Sequence, residues 1–231
     1  MKLSRVIQPK GTKGSLNWIQ RLVNEHPNII NQQLAQAINL NKDENINWLS
    51  PLGTDEYAEY RDASFTQRLG ITLNRRSRES FWPERGPQWD ALGKTDSGKV
   101  ILVEAKAHLN EVVSPGTQAS EISRKMIIRS LEETKVFLKV RPNIDWSGTF
   151  YQYTNRLAHL YLLRILNGID SYLVFVYFLN DDEVEGPKLV QEWQAGIRVL
   201  EAALGLRTHE LSRFILEIFI DVRELSSPVL S

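Results

Sequence analysis

The chain has 231 residues, 42% of them apolar and 24% charged, with 28 basic residues balanced by 28 acidic ones and no cysteine. That length suits one ordinary domain plus an accessory piece, and it is enough to bury a core. The composition excludes a disordered polyelectrolyte, a collagen-like repeat, a disulfide scaffold, a thiolate nucleophile and any cysteine-ligated metal or iron–sulfur site.

The longest apolar stretch, Tyr172 to Leu179, is too short to cross a bilayer. Lys2, Arg5, Lys10 and Lys13 are not followed by an apolar segment, so no secretory signal is expected. A cytoplasmic protein without membrane contact is the expectation. Zero net charge argues against a protein that coats nucleic acid by charge alone. Locally the balance is uneven: residues 61–85 carry six arginines against three acids, and residues 124–141 carry six basic residues against two. These stretches are either solvated surface or one basic face.

In chain order, residues 15–25 and 29–39 read as two short helices, with Ser15 and Asn28 as candidate N-caps. Asn39 to Asn47 is polar and turn-like, which sets a soft boundary near Ser50-Pro51 and an accessory helical region over 1–50. A third helix is expected from about Asp55 to Leu69, ending at Gly70. Gln88–Lys94 and Lys99–His108 have β-character, and a Ser/Thr/Gly/Pro loop covers Ser114–Ser120. Long helices follow over about Glu121–Val140 and Gly148–Leu166. Ser171–Leu179 reads as a strand covered on both faces. Pro187 opens a helix with Leu189, Trp193, Ile197, Leu200 and Leu204 on one stripe, and Arg213–Val222 is a last strand. The order describes an α/β layered domain over 51–231, with a mixed central sheet of four to five strands flanked by helices.

The chemistry-bearing stretch is Pro87-Gln88-Trp89-Asp90 followed by Val103-Glu104-Ala105-Lys106. If Asp96-Ser97-Gly98 is a three-residue hairpin loop with Gly98 left-handed, Thr95 faces Lys99 and Asp90 falls opposite Glu104. Opposed residues share a face, and alternation adds Lys106 and His108 to it while Val103, Ala105 and Ala107 point away. Trp89 is expected to face away as core. Two carboxylates and an ammonium on one patch of a buried strand suit a hard divalent cation, Mg²⁺ or Mn²⁺, with Lys106 beside it to orient or deprotonate water. The competing reading is an internal salt bridge, Asp90–Lys106 or Glu104–Lys106.

These residues resemble the PD-(D/E)XK nuclease superfamily, with Asp90 standing three residues after Pro87 rather than directly after it. The resemblance implies a restriction-endonuclease-like core, with Asp90, Glu104 and the Ala105 carbonyl as metal ligands and Lys106 as the water-activating residue. It also implies a glutamate on the helix before the hairpin. Glu59, eleven residues before Gly70, matches, with Glu56 and Asp62 as rivals on the same segment. Behind the E-x-K strand, Gln152, Asn155, Arg156 and His159 form an i, i+3, i+4, i+7 stripe. Some relatives carry Gln-x-x-x-Tyr there; Gln152 followed by Arg156 is a variant in which Arg supplies a phosphate contact. A plain exposed face is the alternative.

The expected function is Mg²⁺-dependent hydrolysis of phosphodiester bonds in nucleic acid, with DNA as the expected substrate and Mn²⁺ able to substitute. Catalysis falls to Asp90, Glu104, Lys106 and Glu59, and substrate contact to Gln152, Asn155, Arg156 and His108. A homodimer is compatible with duplex cutting. The rivals are a non-catalytic nucleic-acid-binding or protein-interaction module on the same fold, and a hydrolase acting on a nucleotide second messenger.

Overall fold

The computed structural model describes residues 4–226. A two-residue strand β1 (Arg5–Val6) leads into helices α1 (Gly14–Asn24) and α2 (Pro27–Ala37) and strand β2 (Ile46–Ser50). Next come β3 (Glu59–Tyr60), α3 (Asp62–Arg68), α4 (Arg78–Phe81) and the hairpin β4 (Ala91–Thr95) and β5 (Val100–Lys106). The chain continues through α5 (Glu121–Phe137), α6 (Tyr151–Tyr161), β6 (Ser171–Leu179), α7 (Val190–Ala203), β7 (Ile215–Asp221) and α8 (Val222–Ser226).

The main sheet is mixed, with five strands in the order β2-β4-β5-β6-β7. The first two pairings are antiparallel and the last two parallel. The β6 sequence SYLVFVYFL shows why an unbroken apolar run is needed at the centre. Leu173, Phe175, Tyr177 and Leu179 face the layer built by α3 to α7, whereas Val174, Val176 and Phe178 face the layer of α1, α2 and α8. Each parallel connection crosses on the α5–α7 side.

Of the region 1–50, expected as accessory, the described residues supply the edge strand of the main sheet and most of one covering layer. Trp18, Ile19, Leu22, Ile30 and Leu34 pack on Ile101, Val103 and Ala105. Lys13 and His26 occupy the N-cap positions in place of Ser15 and Asn28, neither with a side-chain cap bond; Pro27, with φ already set, starts α2. The helix expected over Asp55–Leu69 is not one element. Asp55 ends a 3-10 turn from Gly53, left-handed backbone at Glu56 (φ 53°) and Tyr57 (φ 51°) turns the chain, Glu59–Tyr60 extends against β1, and only Asp62–Arg68 is α-helical. Among the described residues no helix is long and apolar enough to cross a membrane.

Candidate functional site

The turn Asp96-Ser97-Gly98 fixes the hairpin. Gly98 (φ 90°) takes the left-handed position, and Thr95 N–H donates to the Lys99 carbonyl at 2.9 Å. Pairs Lys94↔Val100 through Ala91↔Val103 follow, the register the loop predicts, and the ladder ends there, one residue short of the expected Asp90–Glu104 pair. Past that end, Asp90 bonds to β5 partly through its side chain. Its N–H donates to the Val103 carbonyl at 3.2 Å, and its Oδ2 accepts from the Ala105 N–H at 2.7 Å. Glu104 and Lys106 lie on the face toward α6, and Ala105 packs in the opposite layer.

Glu104 is 1% exposed and held from two sides. Lys106 Nζ donates to its Oε1 at 2.5 Å and Arg156 Nε to its Oε2 at 2.6 Å. Lys106 also donates to Gln152 Oε1 at 2.8 Å. Arg156 donates further to the Gln88 carbonyl and to Asn155 Oδ1, and its guanidinium lies 4.8 Å over the Trp89 ring. Trp89 is therefore core, as expected, but on the site's side of the sheet and not away from it. The α6 stripe is likewise not an exposed face. Arg156 is 3% exposed and directed inward to Glu104, so it is not presented as a phosphate contact; the reason is the unbalanced carboxylate beneath it. Asn155 and His159 are also buried. His108 stands apart, with Nε2 3.5 Å from Glu111 Oε1 after the chain has left β5.

Glu59 arrives from β3, not from a helix. The Trp89 N–H donates to the Tyr60 carbonyl at 3.1 Å, which brings β3 against the segment before Asp90. Glu59 Oε2 accepts from Gln88 Nε2 at 2.5 Å and Gln8 Nε2 at 3.0 Å. Of its rivals, Glu56 pairs with Arg5, and Asp62 accepts the N–H groups of Arg85 and Gly86. Gln8 and Gln88 are site residues that motif reading misses; the spacing Gln88-x-Asp90 is the available signal for the second.

Three carboxylates, Glu59, Asp90 and Glu104, thus face two cations, Lys106 and Arg156. Burial alone pushes Glu104 up, but Arg156 and Lys106 outweigh it and hold the carboxyl below its usual range. Asp90 goes the other way: burial, then the charges of Glu104 and Glu59, push it well above the ordinary value and outweigh the pull of Lys106 and the Ala105 N–H. Glu59 is pushed up to about 7, by burial first and with Glu104 adding to it, against its amide hydrogen bonds. Asp90 Oδ1 and Glu59 Oε1 accept no hydrogen bond from the described residues. Hard oxygen donors short of positive charge fit a divalent cation in kind. Glu104, by contrast, already gives both oxygens to Lys106 and Arg156, and among the described residues no three His, Cys, Asp or Glu side chains converge as a metal cluster.

Compared with protein-family models, curated proteins and solved structures, the chain gives no match.

Proposed function

We propose that the protein is a metal-dependent nuclease of the restriction-endonuclease-like kind, hydrolysing phosphodiester bonds in nucleic acid, with DNA as its substrate. The observation that carries this reading is Asp90 beside Glu104, its Oδ2 accepting from the neighbouring Ala105 N–H, with Lys106 in contact with Glu104. The residues that would hold Mg²⁺, or Mn²⁺ in its place, are Asp90, Glu104, Glu59 and the Ala105 carbonyl. A bound ion would supply neutralising charge to the scissile phosphate and to the leaving oxygen. The protein's own groups do the rest. Lys106, fixed between Glu104 and Gln152, aligns the attacking water and assists its deprotonation. Arg156 keeps Glu104 ionised and in place. Gln8 and Gln88 orient Glu59 so that Oε1 stays open.

A second reading has its own support: Glu104 has both oxygens engaged by cations of the same chain, the pattern of a structural ion cluster in a non-catalytic module. Incubating plasmid and end-labelled single strands with Mg²⁺ or Mn²⁺ separates the two. The nuclease reading expects cleavage by the wild type that is lost in Lys106→Ala and Asp90→Ala. Intact DNA with the wild type in both ions, or cleavage that survives both substitutions, overturns it.

A further inference from the structure

A second cleft lies at the other end of the sheet. Glu104 and Lys106 stand at the C-terminal end of β5, which runs parallel to β6 and, through it, to β7. The loop after α7 runs into the start of β7 and borders an open cleft of about 1010 Å³ that shares no lining residue with the Glu104–Lys106 pocket. Its other wall is the end of α5 and the turn that follows. Lys139 and Arg141 come from that wall, Arg207 and Arg213 from the loop. All four side chains are exposed, and none makes an ion pair or a side-chain hydrogen bond among the described residues. Glu210, also on the cleft, pairs with none of them. Other exposed arginines, Arg75, Arg85, Arg124, Arg129 and Arg198, also lack a carboxylate partner among the described residues; what sets these four cations apart is that they line one cleft.

Helix dipoles do not account for this set. A cation gains from a helix C-terminus only within the last turn or its cap. That covers Lys139, just past the end of α5 at Phe137, but not Arg207 or Arg213, four and ten residues beyond the end of α7 at Ala203. The cleft also has an apolar side: Phe137 and Ile144 line it, and Gly205, left-handed at φ 67°, leaves room for Ile144 against its backbone. Its volume is at the upper end of the range for small-ligand sites. Cations on two walls of one cleft suit a compact polyanion, whereas a nucleic-acid backbone wants them spaced along a track.

We propose that this cleft binds a nucleoside polyphosphate, with the phosphates between Lys139, Arg141, Arg207 and Arg213 and the base against Phe137 and Ile144. Arginine forks match phosphate oxygens in pairs, and an aromatic–aliphatic wall supplies the apolar half. The proposal does not depend on the nuclease reading.

The test is calorimetric titration of the full chain, in EDTA, with ATP, GTP, inorganic triphosphate and adenosine. The expected result is one saturable site for ATP or GTP, weaker binding of inorganic triphosphate and none of adenosine. Arg207→Ala/Arg213→Ala and, from the opposite wall, Arg141→Gln should each weaken binding roughly tenfold or more, while Lys106→Ala should leave it unchanged. No saturable binding of either nucleotide at millimolar concentration overturns the proposal. So does nucleotide binding retained in both cleft variants, or lost in Lys106→Ala. Inorganic triphosphate binding as tightly as ATP and GTP removes the base subsite, and a short oligonucleotide that binds the cleft more tightly than ATP makes it a nucleic-acid contact instead; either result overturns the assignment.

Discussion

Arg156 donates its Nε to Glu104 at 2.6 Å and, from the same guanidinium, an Nη2 hydrogen to the Gln88 carbonyl at 2.7 Å. One side chain thereby ties α6 to β5 and to the segment that carries Asp90. Desolvating two such charges costs several kcal/mol apiece, so the intact pair adds little net stability, but removing one partner strands the other. Arg156→Met leaves Glu104 buried with Lys106 alone. The expected loss is about 3–5 kcal/mol in urea unfolding. Because the two groups share the interaction, Glu104→Gln combined with Arg156→Met should cost less than the two single changes added together. Strictly additive costs would show that the contact carries no coupling.

His159 makes stability pH-dependent in a defined window. It is 1% exposed among Trp82, Trp89 and Phe65, and its Nδ1 is 2.8 Å from the Asn155 carbonyl. Burial, against that hydrogen bond and with Arg156 and Arg78 adding to it, pushes its pKa down from 6.5 to about 3. The folded value lies below the unfolded one, so the contribution is complete above pH 6.5 and is lost as pH falls toward about 3. Between pH 7 and pH 5 the imidazole alone should remove about 2 kcal/mol. His159→Phe, which keeps an aromatic ring in the cage, should lose that much less over the same interval in denaturant titrations. Parallel pH profiles for the two proteins would refute the assignment.

The hairpin register over Ala91–Thr95 and Lys99–Val103 is legible in the sequence because a short Gly-containing loop sets it, whereas at Trp89 and Asp90 the ladder has ended and alternation no longer assigns the faces. The strand Ser171–Leu179 is legible for a similar reason: a two-sided core demands an unbroken apolar run. Glu59 is misplaced by sequence because its position depends on left-handed backbone at Glu56 and Tyr57, residue types that carry no turn signal. Asp62 is left-handed as well, held there by Arg85 and Gly86, more than twenty positions away. Strand β2 is missed because only five residues, Ile46–Ser50, follow a polar turn and run straight into Pro51, and its order comes from pairing with β4. The role of Arg156 is decided by a partner fifty-two residues distant, which helical spacing does not reveal.

Gly186 closes the turn after β6 against the end of β5. Its N–H donates to the Asp181 carbonyl at 2.9 Å, and a Cβ there would overlap the Ala107 carbonyl oxygen. The obstacle is backbone, so no rotamer change relieves it. Gly186→Ala should destabilise by about 1–3 kcal/mol, and the displaced Ala107 should carry Lys106 with it. The check is the urea midpoint alongside the DNA cleavage rate; a variant matching the wild type in both would mean that the turn yields freely.

Gln152 offers the cleanest separation of positioning from folding. It accepts from Lys106 Nζ at 2.8 Å, and its backbone N–H is satisfied separately by Ser114 Oγ at 3.0 Å. Gln152→Leu therefore removes only the acceptor that holds the ammonium on the side away from Glu104. A half-buried hydrogen bond of this kind contributes on the order of 1 kcal/mol to stability, so the melting temperature should move by a few degrees at most. In the proposed nuclease, Lys106 must keep its place beside the attacking water, and residues that orient such groups typically cost 10–100-fold in rate when lost (about 10–100-fold expected here). The loss should fall in kcat, with KM for DNA little changed, because Gln152 is committed to Lys106 and not to substrate. Gln152→Glu restores an acceptor and should recover part of the rate. A loss confined to KM, or equal losses in the two variants, would mean that Gln152 acts on the DNA directly and that Lys106 is held by Glu104 alone.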